Sequence, residues 1–368
     1  MKKIIILTNL FFATNIYSQV HTNTTRAMIF NGGGFKTAMF LGMLKGARDS
    51  NLNPNVIIGT CGGSIPATIA HSISDSQKQL EFVQSKKFYD IINSIQFTDY
   101  SSLGKTLILA KDFYSKYKND KIIPNIFSNY LMNVPAKFDI SEISKNFKPK
   151  DHQTVIIASK VLYTEDESET KREFNQKLFQ ETVFTDSDTG RKLNGLIAPN
   201  SNFNGSTIDS QIKIIDNASL TEAFRASISD PFYMEPADIN NNRYITGAVD
   251  LYPIEIAKRL ADEVIIAYPS KFDIVEQGAI FATYNFDHNQ RHRNVFNESI
   301  DYLIDISDFP SEISFTPKPS LISWKILSTI PKNYEEYREF TRQQFNYGYQ
   351  RAIEAFKNKN SLNHIRNK

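Results

Sequence analysis

Cys61 is the only cysteine in a chain of 368 residues. It stands in Gly59-Thr60-Cys61-Gly62-Gly63, between the apolar run Val56-Ile57-Ile58 and a stretch with helical spacing. Small residues two before and two after a nucleophile let a chain turn sharply from strand into helix and lift that side chain clear of the sheet. The helix N-terminus beneath it would favour a thiolate. Ser64 is not an equivalent candidate, because Gly62-x-Ser64-x-Pro66 puts proline where the second glycine is needed. Another loop, Gly32-Gly33-Gly34, follows the apolar run Ala27-Met28-Ile29-Phe30. Its N–H groups could cradle a phosphate or hold a developing oxyanion. A phosphate loop needs glycine immediately before Lys-Ser/Thr, and here Phe35 precedes Lys36-Thr37. A dinucleotide fingerprint needs glycine where Thr37 stands and an acid about twenty residues on, where the chain has the asparagine-rich stretch 51–55. What stays open is an oxyanion loop or a plain tight turn.

Both loops lie between a strand-like run and a helix-like run. Further apolar runs at Val155-Ile156-Ile157-Ala158 and Val264-Ile265-Ile266-Ala267 alternate with helical stretches. This pattern predicts an α/β domain with a mostly parallel sheet, its functional loops at the carboxyl ends of the strands. Between about 76 and 146 the chain is rich in lysine and aromatics, with Phe82, Phe88, Ile91, Ile92 and Ile95 near helical spacing. It reads as a helical insertion whose stripe packs on its own domain. The polar segment 164–204 reads as a long surface excursion. A last helix is expected over about 334–358, its aromatics Tyr337, Phe340, Phe345 and Tyr349 serving packing. No internal repeat is visible.

Basic and acidic side chains number 42 and 40, and Lys2 and Lys3 supply the whole excess. A balanced charge gives no general attraction to nucleic acid, and vesicle contact is expected to be weak and insensitive to salt. One cysteine excludes an internal disulfide framework and a cysteine-rich zinc site. No metal or cofactor is expected. His288 and His292 have ligand spacing only if their stretch is helical, and its polar neighbourhood reads as a solvated loop. Met1-Lys2-Lys3, the interrupted apolar run from Ile4 to Ala13 and the small Ser18 before Gln19 read in order as a cleavable secretory signal. Its apolar stretch is far short of the ~20 residues that span a bilayer. Residues 1–18 are therefore taken as signal, and a secreted or periplasmic location is expected.

Taken together the segments resemble the patatin-like phospholipase family. Gly32-Gly33-Gly34-Phe35-Lys36 is similar to its oxyanion loop, Leu41-Gly42-Met43-Leu44 to the helix that follows, and the Cys61 turn to its Gly-x-Ser-x-Gly elbow. Ala226-Ser227-Ile228-Ser229-Asp230-Pro231-Phe232 resembles its Ala-Ser-x-x-x-Pro segment, and Thr246-Gly247-Ala248 its Asp-Gly-Gly/Ala motif. The resemblance implies a three-layer α/β fold over 19–275, interrupted by the insertion at about 76–146, with 276–368 a helical extension packed on it. It implies a lipid acyl hydrolase of phospholipase A or esterase type, with phospholipid or another lipid ester as partner and a transient membrane-surface contact. Nucleic acid is not an expected partner.

The family's Ser–Asp dyad is absent. Cys61 holds the nucleophile position, Thr246 the aspartate position, and Thr37 replaces a glycine of the oxyanion loop. A thiol, with an ordinary pKa of about 8.5, depends less on a base than a hydroxyl does. Thr246 cannot be a base but can donate a hydrogen bond. Asp250 and Asp230 are the nearest acidic replacements, each also at home in ordinary turn chemistry. Lys36 reads either as a partner for lipid phosphate or as an exposed structural lysine. Two readings follow: a cysteine acyl hydrolase, and a patatin-fold protein without turnover that binds lipid or a protein partner.

Overall fold

The computed structural model describes residues 24–98 and 122–357, apart from 139, 232, 273, 316–317, 321–324 and 328. The signal read at 1–18, the middle of the insertion and Phe232 lie outside the described residues.

The apolar runs become the centre of one sheet. In chain order its strands are β1 (Arg26–Phe30), β2 (Val56–Thr60), β5 (Gln153–Val161), β6 (Phe179–Phe184), β7 (Lys213–Ile215), β8 (Ala237–Ile239), β9 (Asn242–Ile245), β10 (Glu263–Tyr268) and β11 (Tyr302–Asp305), with β3 (Gln96–Phe97) and β4 (Met132–Asn133) forming a separate antiparallel pair. The order across the sheet is β11-β10-β1-β2-β5-β6-β7, and the first five are mutually parallel. β6 runs antiparallel to β5, as does β9, which also pairs with β8. Alternation along the strands sorts the core into two layers. Met28, Phe30, Ile57, Ile156 and Ile265 pack on one face, while Ala27, Ile29, Val56, Ile58, Val155, Ile157 and Ile266 pack on the other.

Helices cover both faces. They are α1 (Thr37–Asp49), α2 (Ser64–Ser72), α3 (Ser76–Val83), α4 (Lys86–Asn93), α5 (Ser187–Leu193), α6 (Leu220–Ser227), α7 (Ile254–Leu260), α8 (Ile274–Tyr284), α9 (His288–Asn297) and α10 (Tyr334–Lys357). The first face is covered by α1 with α10 across it. The crossing is close: a Cβ added at Gly348 would lie 2.0 Å from the Met39 carbonyl oxygen. Tyr337 and Phe345 of α10 are buried, with Tyr337 against Tyr89 and Phe315. These aromatics pack, as the spacing suggests.

Three expectations need correction. Residues 164–204 are not only a surface excursion, because β6 lies within them and buries Phe179, Val183 and Phe184 in the sheet. Asparagine-rich flanks conceal that strand. Nor is 276–368 wholly helical: β11 extends the main sheet parallel to β10. In the insertion only α3 and α4 are helical among the described residues, and residues 122–146 form turns and the β4 strand. Gly348→Ala is expected to cost about 2 kcal/mol by forcing α10 off α1. Chemical denaturation measures it, and an unchanged midpoint would show that the two backbones do not meet there.

Candidate active site

The turn after β2 has the strained geometry of an elbow. Cys61 has φ +50°, a region that side-chain-bearing residues seldom occupy. Neighbouring backbone leaves no room for side chains around it. A Cβ at Gly63 would lie 1.9 Å from the Phe30 oxygen, and one at Gly59 would lie 2.7 Å from the Ala67 Cβ. The Cys61 N–H donates to Ser227 Oγ at 2.9 Å, and that hydroxyl donates to the Ile157 oxygen at 2.6 Å. Ser227 thus pins the elbow to β5 and α6. Its role was not foreseen, although it sits in the Ala-Ser segment that carries the family resemblance.

The glycine loop lies against the same thiol. Gly33 and Gly34 have φ of +128° and +80°, and a Cβ at Gly32 would lie 2.9 Å from the Cys61 Cβ. The backbone N–H groups of Gly62 and Gly33 stand near enough to the sulfur to favour its anion. Such a pair of donors, one from the loop and one from the residue after the nucleophile, is what an oxyanion hole requires. α1 begins just beyond the loop with no side-chain cap over its first N–H groups. Lys36 reaches back over this turn, its Nζ 5.4 Å from the centre of the Phe309 ring.

The acid brought to Cys61 is Asp230, whose two carboxylate oxygens each lie 3.8 Å from the sulfur. The Thr246 hydroxyl stands near enough to both groups to favour the ionised form of each. Thr246 Oγ also accepts from the Ala248 N–H at 3.1 Å, and the Thr246 N–H donates to the Ser229 oxygen at 3.0 Å. Burial pushes the Asp230 carboxyl up to about 6, and the hydrogen bonds from Thr246 and Cys61 oppose it. Burial also pushes the Cys61 thiol up, and the Asp230 charge adds to the shift. The thiol therefore rests protonated beside a carboxylate that is ionised at neutral pH.

Asp250 does not join this group. Its side chain is fully buried, accepts from the Tyr252 N–H at 3.1 Å and faces Arg291 of α9 at 3.4 Å. Arg291 also binds Glu255 at 2.6 Å and the Tyr252 oxygen at 2.9 Å. Asp250 is thus part of an ion-pair brace. The brace meets the elbow through backbone, since the Thr60 hydroxyl lies 2.6 Å from the Gly247 oxygen and 3.0 Å from the Asp250 oxygen.

His288 and His292 are helical and buried, which overturns the solvated-loop reading. Asp287 caps α9 by accepting from the Gln290 N–H, and His288, Arg291, His292, Val295 and Phe296 form its buried face. Neither histidine faces the thiol group. His288 stacks between Tyr252 and Phe272, and His292 bonds the Pro269 oxygen. Among the described residues no group of three or more side chains is placed to hold a metal.

Beside the elbow runs a narrow apolar groove of about 30 Å³, partly open to solvent. Phe35 after the glycine loop, Ile65 after the elbow and Ile228 before Asp230 all line it. The opposite wall is the stripe Phe82, Phe88, Ile91, Ile92 and Ile95. That stripe packs on its own domain as expected, with Phe82, Phe88 and Ile92 buried in the core beside the groove.

A mostly parallel central sheet flanked by helices thus carries the glycine loop and the strained Cys61 turn at its strand ends. Residues 28–258, well over half the chain, match the family model described as patatin-like phospholipase, and the chain belongs to that family of lipid acyl hydrolases. No curated protein matches the chain. Among solved structures it is similar to VipD from Legionella pneumophila, at 12% identity and a TM-score of 0.39, over 91% of this chain and 67% of that one.

The raised Asp230 carboxyl has a consequence for stability. The fold holds a proton that the unfolded chain releases near the ordinary value of 3.8, so stability falls as pH rises through about 6. Asp230→Asn removes that loss. The variant should match wild type near pH ~4 and exceed it above pH ~7 by about 2 kcal/mol, allowing for the solvent that reaches this half-buried side chain. Thermal unfolding across pH measures it, and parallel curves would contradict it.

Proposed function

We propose that the protein is a cysteine lipid acyl hydrolase that works on phospholipid or a related lipid ester outside the cytoplasm. The observation that carries the reading is the Cys61 thiol on a strained elbow, 3.8 Å from both oxygens of Asp230 and packed against the Gly32 to Gly34 loop. The narrow groove beside it has the apolar lining that an acyl chain requires, and would have to widen to admit one.

In this reading Cys61 Sγ attacks the ester carbonyl as its proton passes to Asp230. The carbonyl oxygen takes up the negative charge between the Gly33 and Gly62 N–H groups, where fixed donors stabilise it best. Collapse breaks the carbon–oxygen bond, and Asp230 returns the proton to the departing alcohol. A thioester remains on Cys61. Water then attacks it, gives its proton to Asp230, and releases the fatty acid as the thiol regains that proton. Thr246 keeps the carboxylate and the sulfur in register through its hydroxyl. An alkoxide is a poorer leaving group than a thiolate, so proton return from Asp230 is essential for an oxygen ester.

Acyl release from mixed phospholipid vesicles tests the reading. Wild type should release fatty acid, Cys61→Ala should release none, and Asp230→Asn should lose about 100- to 10,000-fold. The acid limb of the pH profile should fall near 6 and vanish in Asp230→Asn. Release that survives Cys61→Ala would end the proposal. A silent wild type that still binds vesicles would favour the lipid-binding reading without turnover.

A further inference from the structure

Arg225 of α6 is buried to 3% exposure, and its hydrogen-bond partners are neutral oxygens. A buried guanidinium costs several kcal/mol in lost hydration, which an apolar side chain at the same place would avoid. What it supplies in return is a rigid planar fork of donors that can hold separate chain segments at once. Here Nε donates to the Pro135 oxygen at 3.0 Å, one terminal nitrogen to the Glu235 oxygen at 3.2 Å, and the other to Ser229 Oγ.

Ser229 is the residue before Asp230 and is fully buried. Its hydroxyl donates back to the Arg225 oxygen at 2.7 Å, while its own carbonyl accepts from the Thr246 N–H at 3.0 Å. It is held between the guanidinium on one side and the Thr246 turn on the other. The helix that carries Arg225 is fixed in turn by a capping box, in which Ser219 and Glu222 satisfy each other's backbone N–H groups. Arg225 therefore sets where the chain stands one residue before the carboxylate that meets Cys61.

We propose that Arg225, acting through Ser229, is the positioning residue that holds the Asp230 carboxylate against the Cys61 thiol. The proposal rests on Asp230 being the partner of Cys61, and it can be read without any turnover. Cys61 is the only cysteine of the chain, so alkylation by iodoacetamide at a fixed neutral pH reports on this thiol alone. A nearby carboxylate disfavours the thiolate and slows alkylation. Asp230→Asn should therefore speed it by about tenfold, and Ser229→Ala and Arg225→Lys by about threefold as the carboxylate drifts away. On an ester substrate Ser229→Ala should lower kcat by about tenfold and leave KM within about twofold, since the groove wall is untouched.

Alkylation at the wild-type rate in Ser229→Ala and Arg225→Lys, with Asp230→Asn faster, would overturn the positioning role and leave Asp230 as partner. No change even in Asp230→Asn would remove both. Absence of ester turnover in wild type would count against the hydrolase alone, because the alkylation series is decided separately. Should Arg225→Lys fail to fold, Ser229→Ala keeps the buried cation in place and carries the test.

Discussion

The site depends on a close approach of backbone to backbone. β1, β2 and the start of α2 come together so tightly at Gly63 that a single methyl group would strike the Phe30 oxygen. That contact forces the chain through a positive φ at Cys61, and the strained residue is the one whose side chain is thereby raised above the sheet. Strain of this kind persists only where the surroundings over-determine it. Here Ser227 takes the Cys61 N–H, Thr60 bonds the 247–250 turn, and Arg291 with Asp250 stiffens that turn from beneath.

Beside this fixed sulfur stands an acid other than the one that the motif resemblance implies. The family's aspartate position holds Thr246, and a carboxylate reaches the sulfur instead from Asp230, on the loop after α6. In the proposed reaction such a carboxylate suits a thiol, which releases its proton more readily than a hydroxyl and tolerates a longer contact to its base. Holding that carboxylate in a partly dry site costs stability, and the buried fork of Arg225 lies just behind it.

Much of this was legible in the sequence. The glycine spacing around Cys61, the loop at Gly32 to Gly34 and the apolar strands could be read directly, because each is a local pattern with one physical cause. The choice between Asp230 and Asp250 could not. Both are acids near a turn, and only the fold shows that Asp250 turns toward Arg291 while Asp230 turns toward the thiol. β6 was hidden for a similar reason: its polar Glu181 and Thr182 are buried by the sheet, and composition reads them as surface. The helix that carries His288 and His292 is hard to read in the sequence because polar neighbours mask the capping role of Asp287 and the spacing of His288, Arg291, His292 and Val295.

The central claim is that Cys61 carries the acyl group. Intact-protein mass measurement after rapid acid quench of a reaction with phospholipid vesicles addresses it most directly. Wild type should gain one acyl chain, released by neutral hydroxylamine as a thioester would be, and Cys61→Ala should gain none. Fatty acid released with no adduct on Cys61, or an adduct that persists in Cys61→Ala, would contradict the claim.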